Sequence, residues 1–415
     1  MIIMQAMDAA TLPRLVAVSL ADRMRVMPAV VVTGARQTGK STLVREEPFL
    51  GDRLYLSLDD LSVRERAASA PDDLVRSAPR LILDEVQREP DLLLSIKRAV
   101  DEDRPRQPGR FLLTGSANLL LMKRISETLA GRATYVTLWP VSRRERLGLG
   151  EVGIWSRLFE RPVAEWYQIV QDQPRRAEDW KAWARTGGYP TPALELDSDE
   201  DRALWFDGYV RTYLERDLQD LASIDNLVDF RRVMRAVCLR LGGLANQAEI
   251  GRDTQMARPT VHRYLNLLET SFQLVRVEPY AVNRTKRLIK SPRLFWSDTG
   301  LALHLGGGEP TGFHLENLVL GDLLAWRDGD LPRADILGWR TASGMDVDFV
   351  IERPEGVVAI EVKAGAGFGT RDVRGLVAFR EEYGDRFVGG LLLHSGDDVQ
   401  WVSDRILAAP WYRVI

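Results

Sequence analysis

The feature that most constrains this chain is a run of eight residues, Gly34-Ala35-Arg36-Gln37-Thr38-Gly39-Lys40-Ser41. An apolar stretch, Ala29–Thr33, precedes it, and Ser41-Thr42-Leu43-Val44 opens a helical segment after it. The pattern G-x-x-x-x-G-K-[ST] between a buried strand and a helix demands a strand-to-helix turn in which the backbone wraps closely around something small. Further apolar runs follow at Leu54–Leu58, Leu81–Leu83, Phe111–Leu113 and Thr134–Leu138, with helical segments between them. Strands alternating with helices predict a parallel sheet covered on both faces. The expected fold class is therefore α/β with a parallel-sheet core.

The eight-residue turn carries its own chemistry. Glycines let backbone amides surround a phosphate, and the helix N-terminus adds positive potential. Residues 34 to 42, that is Gly34, Ala35, Arg36, Gln37, Thr38, Gly39, Lys40, Ser41 and Thr42, form the predicted nucleotide cradle. Lys40 reaches the β- and γ-phosphates, and the Ser41 hydroxyl ligates Mg²⁺. Leu81-Ile82-Leu83-Asp84-Glu85, 44 residues after Lys40 at its aspartate, ends an apolar strand in two carboxylates. Asp84 would hold Mg²⁺, directly or through water, and Glu85 would polarise the attacking water. The next strand runs into Thr114-Gly115-Ser116-Ala117-Asn118, where Thr114 or Ser116 would touch the γ-phosphate or the water, or simply cap a turn.

In this order the signals resemble the AAA-type P-loop ATPases. More narrowly, Leu81–Gln87, Phe111–Asn118 and Leu129-Ala130-Gly131-Arg132 resemble prokaryotic AAA ATPases that carry a C-terminal domain of unknown function. Gly187–Pro190, Tyr213-Leu214-Glu215-Arg216-Asp217-Leu218, Lys290-Ser291-Pro292 and Asp298-Thr299-Gly300-Leu301 extend the resemblance over nearly the whole chain. It implies ATP and Mg²⁺ as ligands, a homo-oligomer, and an arginine given to a neighbouring subunit's γ-phosphate, with Arg132 first and Arg124 second in that role.

The rest of the chain has three textures. Val141–Ser223 is helical and Trp-rich; Asp229–Val282 reads as three short helices and an extended segment, the pattern of a winged helix. Arg258, Thr260, His262 and Arg263 fall on the outer side of its third helix, and Arg284, Lys286, Arg287 and Lys290 crowd the following turn. DNA contact and packing against the ATPase are both open readings of these residues. The predicted boundaries are 1–147 for the ATPase core, 148–225 for a helical connector, 226–290 for the winged helix and 291–415 for a final α/β domain.

In that final domain, Asp346–Glu352 and Val357–Lys363 flank Arg353-Pro354-Glu355-Gly356, read as a four-residue hairpin loop. Antiparallel pairing then sets Phe349 against Ile360, Asp348 against Glu361 and Asp346 against Lys363. Alternation places the four charged groups on one face and Val347, Phe349, Ile351, Val358, Ile360 and Val362 on the other. Opposed carboxylates repel unless a divalent metal or Lys363 neutralises them. This hairpin, with Glu316 on a preceding helix, resembles the PD-(D/E)xK nuclease fold. The resemblance implies Mg²⁺ on Asp348 and Glu361, Lys363 assisting water, and Glu316 completing the cluster; the other reading is a salt-bridged solvent face.

A net charge of −3 over 415 residues excludes a basic nucleic-acid coat and an acidic disordered tail. No apolar run approaches the ~20 residues of a membrane span. The N-terminus does not read as a signal peptide, and the single Cys238 excludes an intrachain disulfide. A cytoplasmic location is expected. Three functions remain compatible with the sequence: an ATP-driven switch acting on DNA, an ATP-regulated Mg²⁺ nuclease, and an ATP-binding regulator of protein partners without nucleic-acid chemistry.

Overall fold

The computed structural model describes residues 12–115, 125, 127–149, 153–217, 226–283 and 291–415, with no side chains described at 215–217. Ser116, Arg124 and the basic turn Arg284, Lys286, Arg287 and Lys290 lie outside them.

Five strands build the first sheet: β1 (Ala29–Thr33), β2 (Leu54–Ser57), β3 (Leu81–Asp84), β4 (Phe111–Thr114) and β5 (Ala133–Thr137). Their order is β2-β3-β4-β1-β5, and every pairing is parallel. Parallel strands need helical crossovers, which bury both faces. One face packs Val30, Val32 and Ile82 against Leu20 and Met24 of the Val16–Val26 helix and Leu43 and Val44 of the Lys40–Glu46 helix. The other packs Val31, Leu81 and Leu83 on Leu93, Ile96 and Val100 of the Leu92–Glu102 helix. The parallel register brings the ends of β1, β3 and β4 to one edge, where open α/β sheets take their ligands.

From Trp139 to Ile415 a continuous apolar cluster runs through the connector, the three-helix module and the final domain, including Trp155, Trp166, Phe230, Trp296, Trp326, Phe349 and Trp411. The three helices are Leu227–Cys238, Gln247–Thr254 and Arg258–Thr270. They lead into β6 (Leu274–Val277), which pairs antiparallel with β7 (Arg293–Trp296). The ribbon's second strand thus lies beyond the boundary expected at residue 290.

The last sheet has six strands in the order β12-β13-β11-β10-β9-β8, with β8 (Asp335–Arg340), β9 (Asp346–Arg353), β10 (Gly356–Lys363), β11 (Phe387–His394), β12 (Gln400–Ser403) and β13 (Ile406–Pro410). The β9–β10 register is the expected one, with Glu352 opposite Val357 and Phe349 opposite Ile360. Arg353 already pairs with Gly356, so the loop is the two residues Pro354-Glu355 rather than four.

The expected faces need correction. Leu337 faces Val350 and Trp339 faces Val347, so Gly338 alone opposes Asp348 and Phe349. Such a bulge reverses the alternation beyond it. Val347 consequently joins Val350, Val357 and Ala359 in one apolar cluster, while Phe349, Ile351, Val358, Ile360 and Val362 belong to the other. Both faces are covered, and of the four residues expected on a solvent face Asp348 and Glu361 are buried, as is Glu316, while Asp346 is exposed and Lys363 half-buried.

Candidate functional site

Gly34 ends β1 with φ of 141°, and Gly39 caps the Lys40–Glu46 helix with φ of 90°. A Cβ on Gly34 would stand 2.3 Å from the Leu138 carbonyl oxygen, so the loop cannot leave β1 with a larger residue there. Lys40 is buried and folds back over the loop, donating to the carbonyls of Ala35 (2.8 Å) and Gly34 (3.3 Å). Burial lowers its pKa to about 8, against the opposing pull of Glu85 and Asp84.

Ser41 donates to Asp84 Oδ1 at 3.1 Å, which joins the two candidate Mg²⁺ ligands across 43 residues. The Thr114 hydroxyl also donates to Asp84 Oδ1 and accepts the Glu85 N–H at 3.2 Å. Thr114 therefore holds the acidic pair in place from β4. Glu85 sits in the left-handed region at φ 58°, unusual for a glutamate and the kind of strain that collects at functional sites. Its carboxylate accepts from Gln87 Nε2.

Two groups at this edge went unnoticed in the sequence. Tyr55 on β2 donates to Asp84 Oδ2 at 2.5 Å and accepts from Arg45 at 2.8 Å. Arg14 donates to the Thr38 carbonyl (2.9 Å) and the Trp139 carbonyl (2.7 Å), and pairs with Glu145 at 3.1 Å. It ties the loop to the segment leaving β5. Neither has a local signal, because each partner is remote in sequence.

Arg132 precedes β5, at the sheet edge opposite Lys40, and grips Asp101 through two hydrogen bonds of 2.6 and 2.9 Å. Within one chain it reaches no group of the loop.

The C-terminal carboxylates come together beyond Phe349–Ile360, where the β9–β10 pairing ends, and with an additional partner. Arg293, from β7, bonds Asp348 Oδ1 through Nη1 at 3.0 Å, Glu316 through Nη2, and the Gly242 carbonyl through Nε at 2.7 Å. Asp348 Oδ2 accepts the Val362 N–H at 2.9 Å. Lys363 holds Glu361 Oε1 at 2.7 Å, while Glu361 Oε2 is buried without a hydrogen-bond partner among the described residues. Burial and the Asp348 charge raise Glu316 to about 8 and push Glu361 well above the usual carboxylate range. A divalent cation would have to displace the guanidinium, and no group of three His, Cys, Asp or Glu among the described residues is arranged to hold a metal ion. The residues as placed do not fit one.

At the nucleotide edge the donor set does fit Mg²⁺. A hydroxyl and a carboxylate, both hard oxygen donors, lie in contact beside a phosphate cradle.

The family described as AAA domain matches residues 27–147, and two families described as domains of unknown function, DUF8612 and DUF4143, match residues 177–312 and 311–414. The chain is 30% identical over 345 residues to the uncharacterized proteins Rv2008c of Mycobacterium tuberculosis and Mb2031c of Mycobacterium bovis, covering 81% of this chain and 70% of each relative. An uncharacterized protein of Haemophilus influenzae is 21% identical over 412 residues, 91% of this chain and 94% of its own. Among solved structures, a Walker-type ATPase of Pyrococcus abyssi aligns at 16% identity with a TM-score of 0.42, over 70% of this chain and 94% of that one. A DNA replication initiation factor aligns at 15% identity with a TM-score of 0.27, over 61% and 86%. No helix among the described residues is long and apolar enough to cross a membrane. By sequence identity and coverage, the chain belongs to the family of the two mycobacterial proteins, with an AAA-type P-loop ATPase domain at residues 27–147.

Proposed function

We propose that this chain is a Mg²⁺-dependent ATPase whose nucleotide state sets how the winged helix and C-terminal domain are held. The observation that carries the proposal is the linked set Ser41, Asp84, Thr114 and Glu85 beside a glycine loop with a buried lysine. Backbone amides of residues 35–41 would surround the phosphates, and Lys40 would leave its loop carbonyls for the γ-phosphate. Ser41 and Asp84 would hold Mg²⁺, which neutralises phosphate charge when bound. Thr114 keeps Asp84 turned to Ser41, and Glu85 accepts a proton from the attacking water. A largely apolar pocket beside Gly39 and Thr42, lined by Leu12, Arg14, Leu43, Val141, Pro190 and Leu194, would face the base.

The winged-helix pattern and the exposed Arg258, His262 and Arg263 support DNA as the object of the switch. In the C-terminal domain Arg293 occupies the place between Glu316 and Asp348 that a metal ion would need. Assembly through Arg132 would require it to exchange Asp101 for a neighbour's phosphate.

Substitution separates binding from turnover. Lys40→Ala should abolish binding of ATP, and Glu85→Gln should retain binding and lose hydrolysis. Undiminished turnover in purified Glu85→Gln would overturn the assigned role.

A further inference from the structure

Three motifs that phosphate chemistry leaves unused, Gly187–Pro190, the segment beginning Tyr213-Leu214, and Asp298–Leu301, meet in the interior. The Asp199–Tyr209 helix runs into a π-helical stretch, Val210–Asp217. Wide turns of this kind are rare and gather at functional sites. Here the stretch carries Tyr213 to the phosphate loop: the Arg36 guanidinium carbon lies 5.8 Å from the Tyr213 ring centre, and the Tyr209 ring is 5.3 Å from that of Tyr213. Tyr209 donates to the Arg36 carbonyl at 3.3 Å, so two tyrosines one turn apart bear on a single loop residue.

The contact continues away from the loop. The Tyr209 and Tyr189 hydroxyls are 3.0 Å apart, Tyr189 donates to Gln273 Oε1 at 3.1 Å, and Gln273 Nε2 donates to Tyr209 at 3.1 Å. Gln273 directly precedes β6, and its carbonyl accepts the Ser297 N–H beyond β7 at 2.9 Å. The adjoining Asp298 accepts the Leu301 N–H (2.7 Å) and the Gly188 N–H (2.5 Å), which closes the circuit. Tyr189, Tyr209, Gln273 and Asp298 are buried. A buried polar chain has few alternative partners, so movement at one end is felt at the other.

One atom in this arrangement is weakly held. The Tyr213 hydroxyl is buried and makes no hydrogen bond of good geometry among the described residues, the Arg36 N–H being the group that faces it. Glu85 and Arg36 both lie close enough to act on it electrostatically. A buried hydroxyl so weakly held is unfavourable in itself, and this one stands against a loop that must rearrange around phosphate.

We propose that Tyr213 is a positioning residue of the nucleotide site, acting through Arg36, and that Tyr209 transmits the loop's conformation through Tyr189 and Gln273 to the β6–β7 ribbon. The proposal rests on the ATP reading above. In the nucleotide-bound loop the Arg36 N–H closes on the Tyr213 hydroxyl, and the Arg36 carbonyl shifts against Tyr209. Linkage makes the effect reciprocal: whatever displaces the ribbon changes nucleotide affinity by the same factor.

The test uses the full chain, Mg²⁺, a fluorescent ATP analogue for affinity, and a non-hydrolysable ATP analogue for amide exchange. Tyr213→Phe removes one oxygen. It should leave the nucleotide-free melting temperature unchanged or higher, yet weaken binding about three- to tenfold, the worth of one hydrogen bond. In the wild type, nucleotide should alter amide exchange over residues 258–277; in Tyr209→Phe that response should vanish while binding persists. Gln273→Met interrupts the chain at its far end and carries the same expectation if Tyr209→Phe folds poorly. Wild-type affinity in Tyr213→Phe, or a wild-type exchange response in Tyr209→Phe or Gln273→Met, overturns the proposal. Failure of the wild type itself to bind the ATP analogue better than Lys40→Ala overturns instead the ATP reading beneath it.

Discussion

Replacing Arg293 by methionine asks what neutralises the C-terminal carboxylates. The side chain is 17% exposed and the carboxylates of Glu316 and Asp348 are each 10% exposed, so the substitution leaves two buried carboxyl groups without their cation, with Glu361 nearby. Removing one partner of a buried ion pair costs about 3–5 kcal/mol. At about 2–4 °C per kcal/mol for a domain of this scale, the melting transition should fall by about 10 °C at pH 8. The loss should depend on pH. Glu316, raised from 4.5 to about 8 mainly by burial, keeps in the folded state a proton that the unfolded chain releases between those values. Its contribution to stability therefore declines as pH rises through that window. Without Arg293 the folded-state value rises further and the decline extends above pH 8. The gap between wild type and variant should be small near pH 5 and widest in alkali. Thermal unfolding of the full chain at pH 5 and pH 8 reads this out, and adding Glu316→Gln to Arg293→Met should recover at least half of the loss. An Arg293→Met protein that melts within about 2 °C of wild type at pH 8 refutes the argument. Calorimetric titration with Mn²⁺ provides an independent check: wild type and Asp348→Asn should give the same heats, and a binding event lost in Asp348→Asn would restore the nuclease reading.

Gly34→Ala should abolish nucleotide binding and lower stability, since its Cβ would stand 2.3 Å from the Leu138 carbonyl oxygen at a φ of 141°; binding equal to wild type would show that the loop can move aside. Nucleotide affinity should fall as pH rises above 8, because Lys40, held near 8 when nucleotide is absent, must be protonated to pair with phosphate. Calorimetry in buffers of different ionisation heat should then detect proton uptake on binding at pH 9, and its absence would contradict the buried-lysine account. Arg132→Ala should bind ATP but hydrolyse it poorly, and mixing it with Glu85→Gln should restore some turnover; a fully active species that sediments as a monomer excludes the role in trans.

What the sequence determined by itself was local. A glycine loop between strand and helix, a strand ending in Asp84-Glu85, and the β9–β10 register are set by residues within a few positions of one another. Backbone conformation and period-two alternation act over that range, so these could be read directly. The phase error at Val347 marks the limit: the bulge lies in the pairing with Gly338 of the neighbouring strand, and no pattern within β9 announces it.

Tertiary structure alone decided the partners. Arg14 and Glu145, Tyr55 and Asp84, and Arg293 with Glu316 and Asp348 are joined across 23 to 131 residues, and any of the chain's many arginines would have suited the composition equally well. The same holds for Tyr189, Tyr209 and Gln273, which meet because a π-helical stretch and the β6–β7 ribbon converge on the loop. Charge and hydrogen-bonding capacity are visible in a sequence. Which groups leave water together is settled only when the chain packs, and in a low-dielectric interior that choice determines whether a carboxylate is held by an arginine or left open to a metal ion.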